Sequence, residues 1–337
     1  MKKHLYLLLF VVVALMSACN TTEQIRLTTM RPAEIEYHRT RPHLAVVNNS
    51  RVPDATALSR YTDENGAQYK LSFVTDSMPH FMATSLATQL YDTHFFEQVD
   101  LLLPDSTHIT GVAGVDSMLV AEWKRNYPDD VHLVINDISP CVTMRTDAMG
   151  GYFATELMAV TTVQMQCVIP RRPLFEVVVS DTLVWYGYGD TPAQTQAALP
   201  LIDEVLQEAM HQLSARIVER CAPYERVVDR YLFSTGHVAM KDACKYWQND
   251  MREEASYVWE YVLAEGKDNG RRARAAANLA LYNELQDDYE KALEYAREAQ
   301  RLFIAADDVA EAEYVMLYCK DLEKRIEERD RLNHQLN

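Results

Sequence analysis

After its first eighteen residues, the 337-residue chain has no run approaching the ~20 consecutive apolar residues that a membrane-spanning helix needs. Positive charge is also short: 33 Lys and Arg stand against 49 Asp and Glu, a formal net charge of −16. A surface this acidic repels phosphate backbones, so nucleic acid is excluded as the expected partner, and anionic lipid head groups are disfavoured for the same reason. Cysteine pairs are missing. Apart from Cys19 there are Cys141, Cys167, Cys221, Cys244 and Cys319, widely spaced and with no Cys-x-x-Cys. That excludes a zinc knuckle or thioredoxin-type site and leaves their disulfide state open, with buried thiols serving as small apolar side chains the expected use. Catalytic signatures are missing too: there is no Gly-x-Ser-x-Gly, His-Glu-x-x-His, Walker loop or Gly-x-Gly-x-x-Gly. His80, His94, His108 and His132 fit no metal-site spacing. Asp129-Asp130 and Asp287-Asp288 read as element edges, and Gly187-Tyr188-Gly189-Asp190 as a turn after a strand. No catalytic residue, metal or cofactor is therefore assigned, and an enzyme is not expected. The competing class is an envelope hydrolase with an unrecognised site, for instance a triad assembled across the fold.

What is present begins at the N-terminus. Met1-Lys2-Lys3 is positive, and Leu5 to Leu15 is apolar except for the amphipathic Tyr6. As a helix this run rises ~16 Å, about half of a bilayer core, so it reads as a signal-peptide core. Met16-Ser17-Ala18-Cys19 resembles the lipobox of bacterial lipoproteins. The resemblance implies removal of residues 1–18 and attachment of acyl chains, palmitate among them, to Cys19. One chain holds a protein marginally and several hold it durably, at ~0.8 kcal/mol per buried methylene. Loss of Lys2 and Lys3 would take the formal charge to −18. Asn20 after the cysteine resembles lipoproteins sent to the outer membrane. Without an acidic run in the following residues, the periplasmic face is the expected one. Residues 19–42 read as a tether.

Residues 43–230 read as an α/β domain. His43 to Val47 is a short apolar strand, followed by a polar stretch to Lys70. Ser77 to Tyr91 has helical spacing (Phe81, Leu86, Leu90) with Ser77 as its cap. Phe95 to Leu103 is a strand, Val115 to Asn126 a helix, and Val131 to Ile138 a strand. The period then becomes two over Phe153 to Ile169 and Leu174 to Tyr186, with Gly150-Gly151 and Arg171-Arg172 as turns. One long helix follows from Pro192 to Glu219, striped by Leu199, Ile202, Leu206, Met210, Leu213 and Ile217. This order resembles a domain of Gram-negative envelope proteins: the curli-secretion lipoprotein, the lipoprotein activators of penicillin-binding proteins and the N-terminal domain of TolB. The matching pieces are Leu44-Ala45-Val46-Val47, then Ser85-Leu86 to Leu90 leading into Phe96 to Asp100, and Asp130 to Ile138. The stretch 51–75 departs from that pattern.

Residues 236–337 are helical and rich in alanine. Ala276, Leu279 and Ala280 followed by Ala292 and Ala296 resemble a tetratricopeptide repeat, in which small residues let antiparallel helices approach closely. Ala239, Ala243, Tyr246, Ala255 and Trp259 fill the corresponding places upstream, so Trp259 should be buried. The concave positions are His237, Met240, Cys244, Arg274, Ala277, Asn278 and Leu281; only Arg274 and Asn278 fit the polar pattern of repeats that hold peptide carboxylates. A carboxylate clamp is therefore not expected, and the groove is expected to be filled by a neighbouring helix.

Taken together, the fold expected is α+β, a mixed sheet packed on helices followed by an all-α tetratricopeptide-like array. The layout resembles a family of uncharacterised Gram-negative envelope lipoproteins. It implies a periplasmic lipoprotein of the outer membrane, attached through Cys19, that binds or scaffolds an envelope protein. Its oligomeric state is not legible. Asp76-Ser77-Met78, Asp116-Ser117-Met118 and Asp181-Thr182-Leu183 resemble glycosylation acceptors, with capping the favoured reading for the first two.

Overall fold

The computed structural model describes residues 22–37, 41–54, 59–102, 125, 131–169, 175–235 and 237–336. Cys19, the signal segment, the helix expected over 115–126 (apart from Arg125), His108, Asp129-Asp130 and Arg171-Arg172 lie outside the described residues. In chain order the strands are β1 (Thr22–Arg31), β2 (His43–Asn48), β3 (Arg60–Thr62), β4 (Gln68–Lys70), β5 (Gln98–Leu102), β6 (Val131–Met149), β7 (Tyr152–Val168), β8 (Phe175–Gly189) and β9 (Tyr224–Phe233). The helices are α1 (Met78–Asp92), α2 (Pro192–Ala197), α3 (Ile202–Cys221), α4 (Val238–Gln248), α5 (Arg252–Glu265), α6 (Asn269–Glu284), α7 (Tyr289–Ala305) and α8 (Val309–Leu336). They divide into two units, one of residues 32–224 with the last four of the chain, the other of the residues up to 31 with 225–333.

The first unit is a mixed sheet covered by helices. β2 lies between β5 and β6, parallel to both, with Leu44 beside Val99 and Val131. Parallel strands are buried on both faces, which is why Leu44 to Val47 reads as an unbroken apolar run. β6 outruns β2. A bulge at Asn136 shifts its register against β7, and beyond the bulge β6 pairs with β3, Arg60 beside Thr143. The polar stretch to Lys70 thus contributes a small hairpin, β3 and β4, to the same sheet. β7 and β8 complete an antiparallel meander along the whole of β6. Met82, Leu86 and Leu90 of α1 and Leu206, Met210, Leu213 and Ile217 of α3 close over Leu133, Ile135, Leu157 and Val163. Each such side chain contributes roughly 1.5–3 kcal/mol through burial.

Three local expectations are corrected here. The single helix over 192–219 is two, α2 and α3, because Pro200 lacks an N–H and pushes Leu199 out of helical conformation. Ser77 stands at the start of α1 but its side chain makes no capping bond; only its carbonyl accepts, from the Phe81 N–H at 2.9 Å. Gly187 to Gly189 are not a turn but the end of β8, paired with Thr155, Ala154 and Phe153. The glycines are there for space: a Cβ on Gly187 would lie 2.0 Å from the Thr195 carbonyl oxygen in α2. That close approach also brings the Thr195 hydroxyl to Thr155 (2.5 Å), which meets Thr146 (2.8 Å), so three buried hydroxyls satisfy one another.

In the second unit, α4 packs on α5, α5 on α6 and α6 on α7, and α8 adds Val315, Cys319 and Leu322 to one shared core. Ala273, Ala276 and Ala280 of α6 and Ala292, Ala296 and Ala299 of α7 are fully buried, and their small size permits the close helix contact. Three turns repeat one device. Asp250, Asp287 and Asp307 each take a left-handed φ near 60°, and the next N–H reaches back five residues to Tyr246, Asn283 and Phe303. This closes the helix end as a glycine would in the same place. Asp288 then caps α7 by accepting from the Lys291 N–H, so the Asp287-Asp288 pair is a turn. Trp259 is fully buried, its ring 5.5 Å from that of Trp247.

The tether expected over 19–42 is structured wherever it is described. Ile25, Leu27, Thr29 and Arg31 alternate inward along β1, which pairs with β9. Thr29 donates to the Arg226 carbonyl (3.2 Å), and Arg26 lies beside Asp229, so the two strands run antiparallel. Ala33, Ile35 and Tyr37 are buried in the sheet unit. The inward alternation of β1 mixes apolar with polar residues, and this hides the strand from a reading based on hydrophobicity. β9 likewise straddles the expected boundary at 230, belonging from Glu225 onward to the helices.

Candidate binding groove in the helical unit

Of the seven positions named from sequence, five come together, and what they enclose is the end of β9, a strand where a neighbouring helix was expected. Met240, Cys244, Ala277, Asn278 and Leu281 are buried, while His237 is exposed and caps α4 by accepting from the Ala239 N–H. Arg274 reaches toward Asp308, at 3.9 Å. Asn278 is wholly buried and clamps the backbone of one residue. Its Oδ1 accepts from the Phe233 N–H (2.8 Å) and its Nδ2 donates to the Phe233 carbonyl (2.9 Å). The Cys244 thiol donates to that carbonyl as well, at 3.5 Å. The Phe233 ring meets Phe303 with centroids 5.7 Å apart, and the Tyr231 N–H donates to the Tyr314 hydroxyl.

Deeper in, β9 delivers Arg230 to a carboxylate cluster that composition does not reveal. Arg230 holds Glu284 through both oxygens (2.8 and 2.9 Å) and Asp321 at 2.6 Å. Glu284 also accepts from the Tyr318 hydroxyl (2.6 Å) and from Arg325 (2.5 Å). Arg31 of β1 pairs with Asp321 and with Glu328. Arg230 lies 4.3 Å from the Tyr318 ring centre and Arg325 4.1 Å from that of Tyr289, adding cation–π attraction. Arg31, Arg230 and Arg325 thus balance Glu284, Asp321 and Glu328. Removing charges from water costs several kcal/mol per ion, and only such dense pairing offsets it.

This cluster is chemically quiet. Burial pushes the Asp321 carboxyl up, but Arg230 and Arg31 outweigh it and leave it below the usual carboxylate range. Burial and the Glu284 charge drive Tyr318 well above the usual phenol value. Neither group is poised to exchange a proton near neutrality, as a general acid or base must be. The buried thiols are similarly inert: burial pushes Cys167 to about 12 and Cys244 and Cys319 to about 11, and Cys221 also rises. No disulfide joins the described cysteines. A cleft of about 60 Å³ beside α1 and α3 includes Ser77, Phe81 and Asp203 in its lining, with Asp203 its one carboxylate. Among the described residues no three His, Cys, Asp or Glu side chains gather as a metal site.

Arg230, Glu284, Asp321 and Arg325 escape a motif search, yet a signal exists. Glu284 continues the inward stripe Ala277–Leu281, and Tyr318, Asp321 and Arg325 fall on the apolar stripe of Val315 and Leu322. A charge on a buried stripe demands a partner.

Residues 241–324 match the family model described as a domain of unknown function, DUF6340, and residues 151–233 match another, DUF8603. No curated protein matches. Among solved structures the chain is similar to an uncharacterised protein, at 14% identity and a TM-score of 0.26, covering 54% of this chain and 94% of that one. A putative neuraminyllactose-binding hemagglutinin homolog from Helicobacter pylori shows 11% identity and a TM-score of 0.30, with 56% and 88% covered. A DUF330 protein from Xanthomonas campestris shows 10% identity and a TM-score of 0.27, with 58% and 92% covered.

Proposed function

We propose that this chain is an envelope lipoprotein, anchored to the periplasmic face of the outer membrane through acyl chains on Cys19, that binds or scaffolds other envelope proteins. In this reading α4–α8 are a tetratricopeptide-like array. One observation carries it. The helices hold an extended segment, Arg230 to Phe233, by its backbone through Asn278 and by its side chains through Glu284, Asp321 and Phe303. Reading both backbone and side chains is the chemistry by which helical grooves recognise peptides. Because β9 fills this groove, a partner is expected on an outer surface. The outward face of β8 offers Val178, Val184, Tyr186 and Tyr188, all exposed, on a strand that among the described residues pairs only with β7. Exposed aromatic and aliphatic side chains on an edge strand favour association with a further protein surface.

Photo-crosslinking residues placed at Tyr186 and Tyr188 in cells should give discrete adducts with an envelope protein, lost when Val184→Asp is added. Absence of adducts at both positions would remove the sheet face as the contact. Attachment is tested apart: Cys19→Ala should leave an unprocessed or soluble chain by fractionation and metabolic lipid labelling. Unchanged labelling would end the lipoprotein reading.

A further inference from the structure

β1 is fixed along its length to the helical unit. At its start, the Gln248 side chain at the end of α4 donates to Glu23 (3.1 Å). In its middle, Ile25 and Leu27 pack on the helical core. At its end, Arg31 is buried between Asp321 and Glu328. Thr22, where this fixed strand begins, is three residues beyond Cys19. Three residues of fully extended chain reach at most ~11 Å. A lipidated cysteine sits where acyl chains meet head groups, so nothing fixed to Thr22 can be far from that layer.

We propose that the helical unit docks on the bilayer surface through the end that carries the start of β1. That end comprises Thr22, Glu23 and Gln24, the neighbouring Tyr231 and Ser234, which line an open depression with them, and Gln248 with the α4–α5 turn. The occupant of this surface is the head-group layer of the leaflet holding the acyl chains. The proposal rests on lipidation of Cys19 and adds an orientation that lipidation alone does not give. A flexible tether of twenty or so residues would let the unit wander tens of ångströms, at ~5–6 Å times the square root of the residue number. The strand removes that freedom. Charge does not supply the contact: the chain is strongly acidic, and Glu23 and Asp250 lie at this end. The short covalent link does, so the orientation should persist when salt is raised.

The test uses the full lipidated chain on phosphatidylethanolamine–phosphatidylglycerol vesicles containing a lipid with a nitroxide on its head group. A fluorophore is attached, in a Cys141→Ser background because Cys141 is only half-buried, at Asn249→Cys in the α4–α5 turn or at Asp330→Cys, both exposed positions; the buried native thiols react slowly because burial raises them. Asp330 lies on α8 two residues past Glu328, the partner of Arg31, and so beside the far end of β1. That end is ~30 Å from Thr22 at about 3.4 Å per residue. Quenching several-fold stronger at Asn249→Cys than at Asp330→Cys, in low and in high salt, is expected. Equal or reversed quenching on a chain that floats with the vesicles would overturn the docking and leave lipidation standing. Failure of the processed chain to float would remove the anchor, and the docking with it. A chain with Cys19→Ala gives the unanchored baseline for both sites.

Discussion

The two units bury polar groups by different means. In the sheet unit, the buried hydroxyls of Thr146, Thr155 and Thr195 are neutral, with bonded partners 9 and 40 positions apart, and the surrounding core is aliphatic. In the helical unit, three arginines meet three carboxylates, and Arg31 and Asp321, which pair there, are 290 residues apart in the chain. A neutral hydroxyl chain loses about 1–3 kcal/mol if one member is removed. A charge network loses more, about 3–5 kcal/mol, since each lost partner strands an ion away from water. The sheet unit should therefore depend on shape and the helical unit on charge.

The strongest way to break this contrast is Glu284→Ala. It leaves Arg230, Arg325 and Tyr318 without their shared acceptor, and breaking a buried pair costs about 3–5 kcal/mol. Hydrogen exchange read by mass spectrometry should accelerate across α4–α8 while β6–β8 stay protected. Acceleration of both regions together would mean that the two units do not unfold separately. From the sheet side, Gly187→Ala forces a methyl against the Thr195 carbonyl and should cost ~1–3 kcal/mol through overpacking. Here exchange should rise in β8 and α2 and not in the helices. An unchanged urea midpoint would show that α2 can shift away freely.

The smallest effect is a pH dependence confined to the helical unit. The folded Asp321 carboxyl lies below its ordinary value, so the stability it contributes is full above about pH 4 and is lost as pH falls through the folded value. Exchange in α8 should rise in acid sooner than exchange in β7. Asp321→Asn should flatten that limb while lowering stability at neutral pH. An acid response equal in both units, or unchanged in the Asn variant, would locate the sensitivity elsewhere.

Much of the fold was readable from periodicity. α1, β7, β8 and the alanine-rich helices follow from spacings of two or of three and four, because a buried face imposes its period on the residues that form it, and β2 from an unbroken apolar run buried on both faces. Trp259 was placed in the core from its position in the repeat-like pattern, and it is buried. The break between α2 and α3 was equally legible at Pro200, but the apolar stripe running through it concealed the stop. Asn278 stood out among the concave residues as polar. That it would hold Phe233 could not be read, since the two are 45 positions apart and nothing local couples them.

The sequence by itself determined the segments: which stretches alternate, which coil, where small residues let helices close, and the lipobox-like start ending at Cys19. Only the tertiary structure decided where the mixed-polarity strands belong. β1 and β9 carry arginines on their inward faces, which in isolation argue against burial. They are buried because distant carboxylates on α6 and α8 meet them, an electrostatic match between residues far apart in the chain that no local pattern encodes.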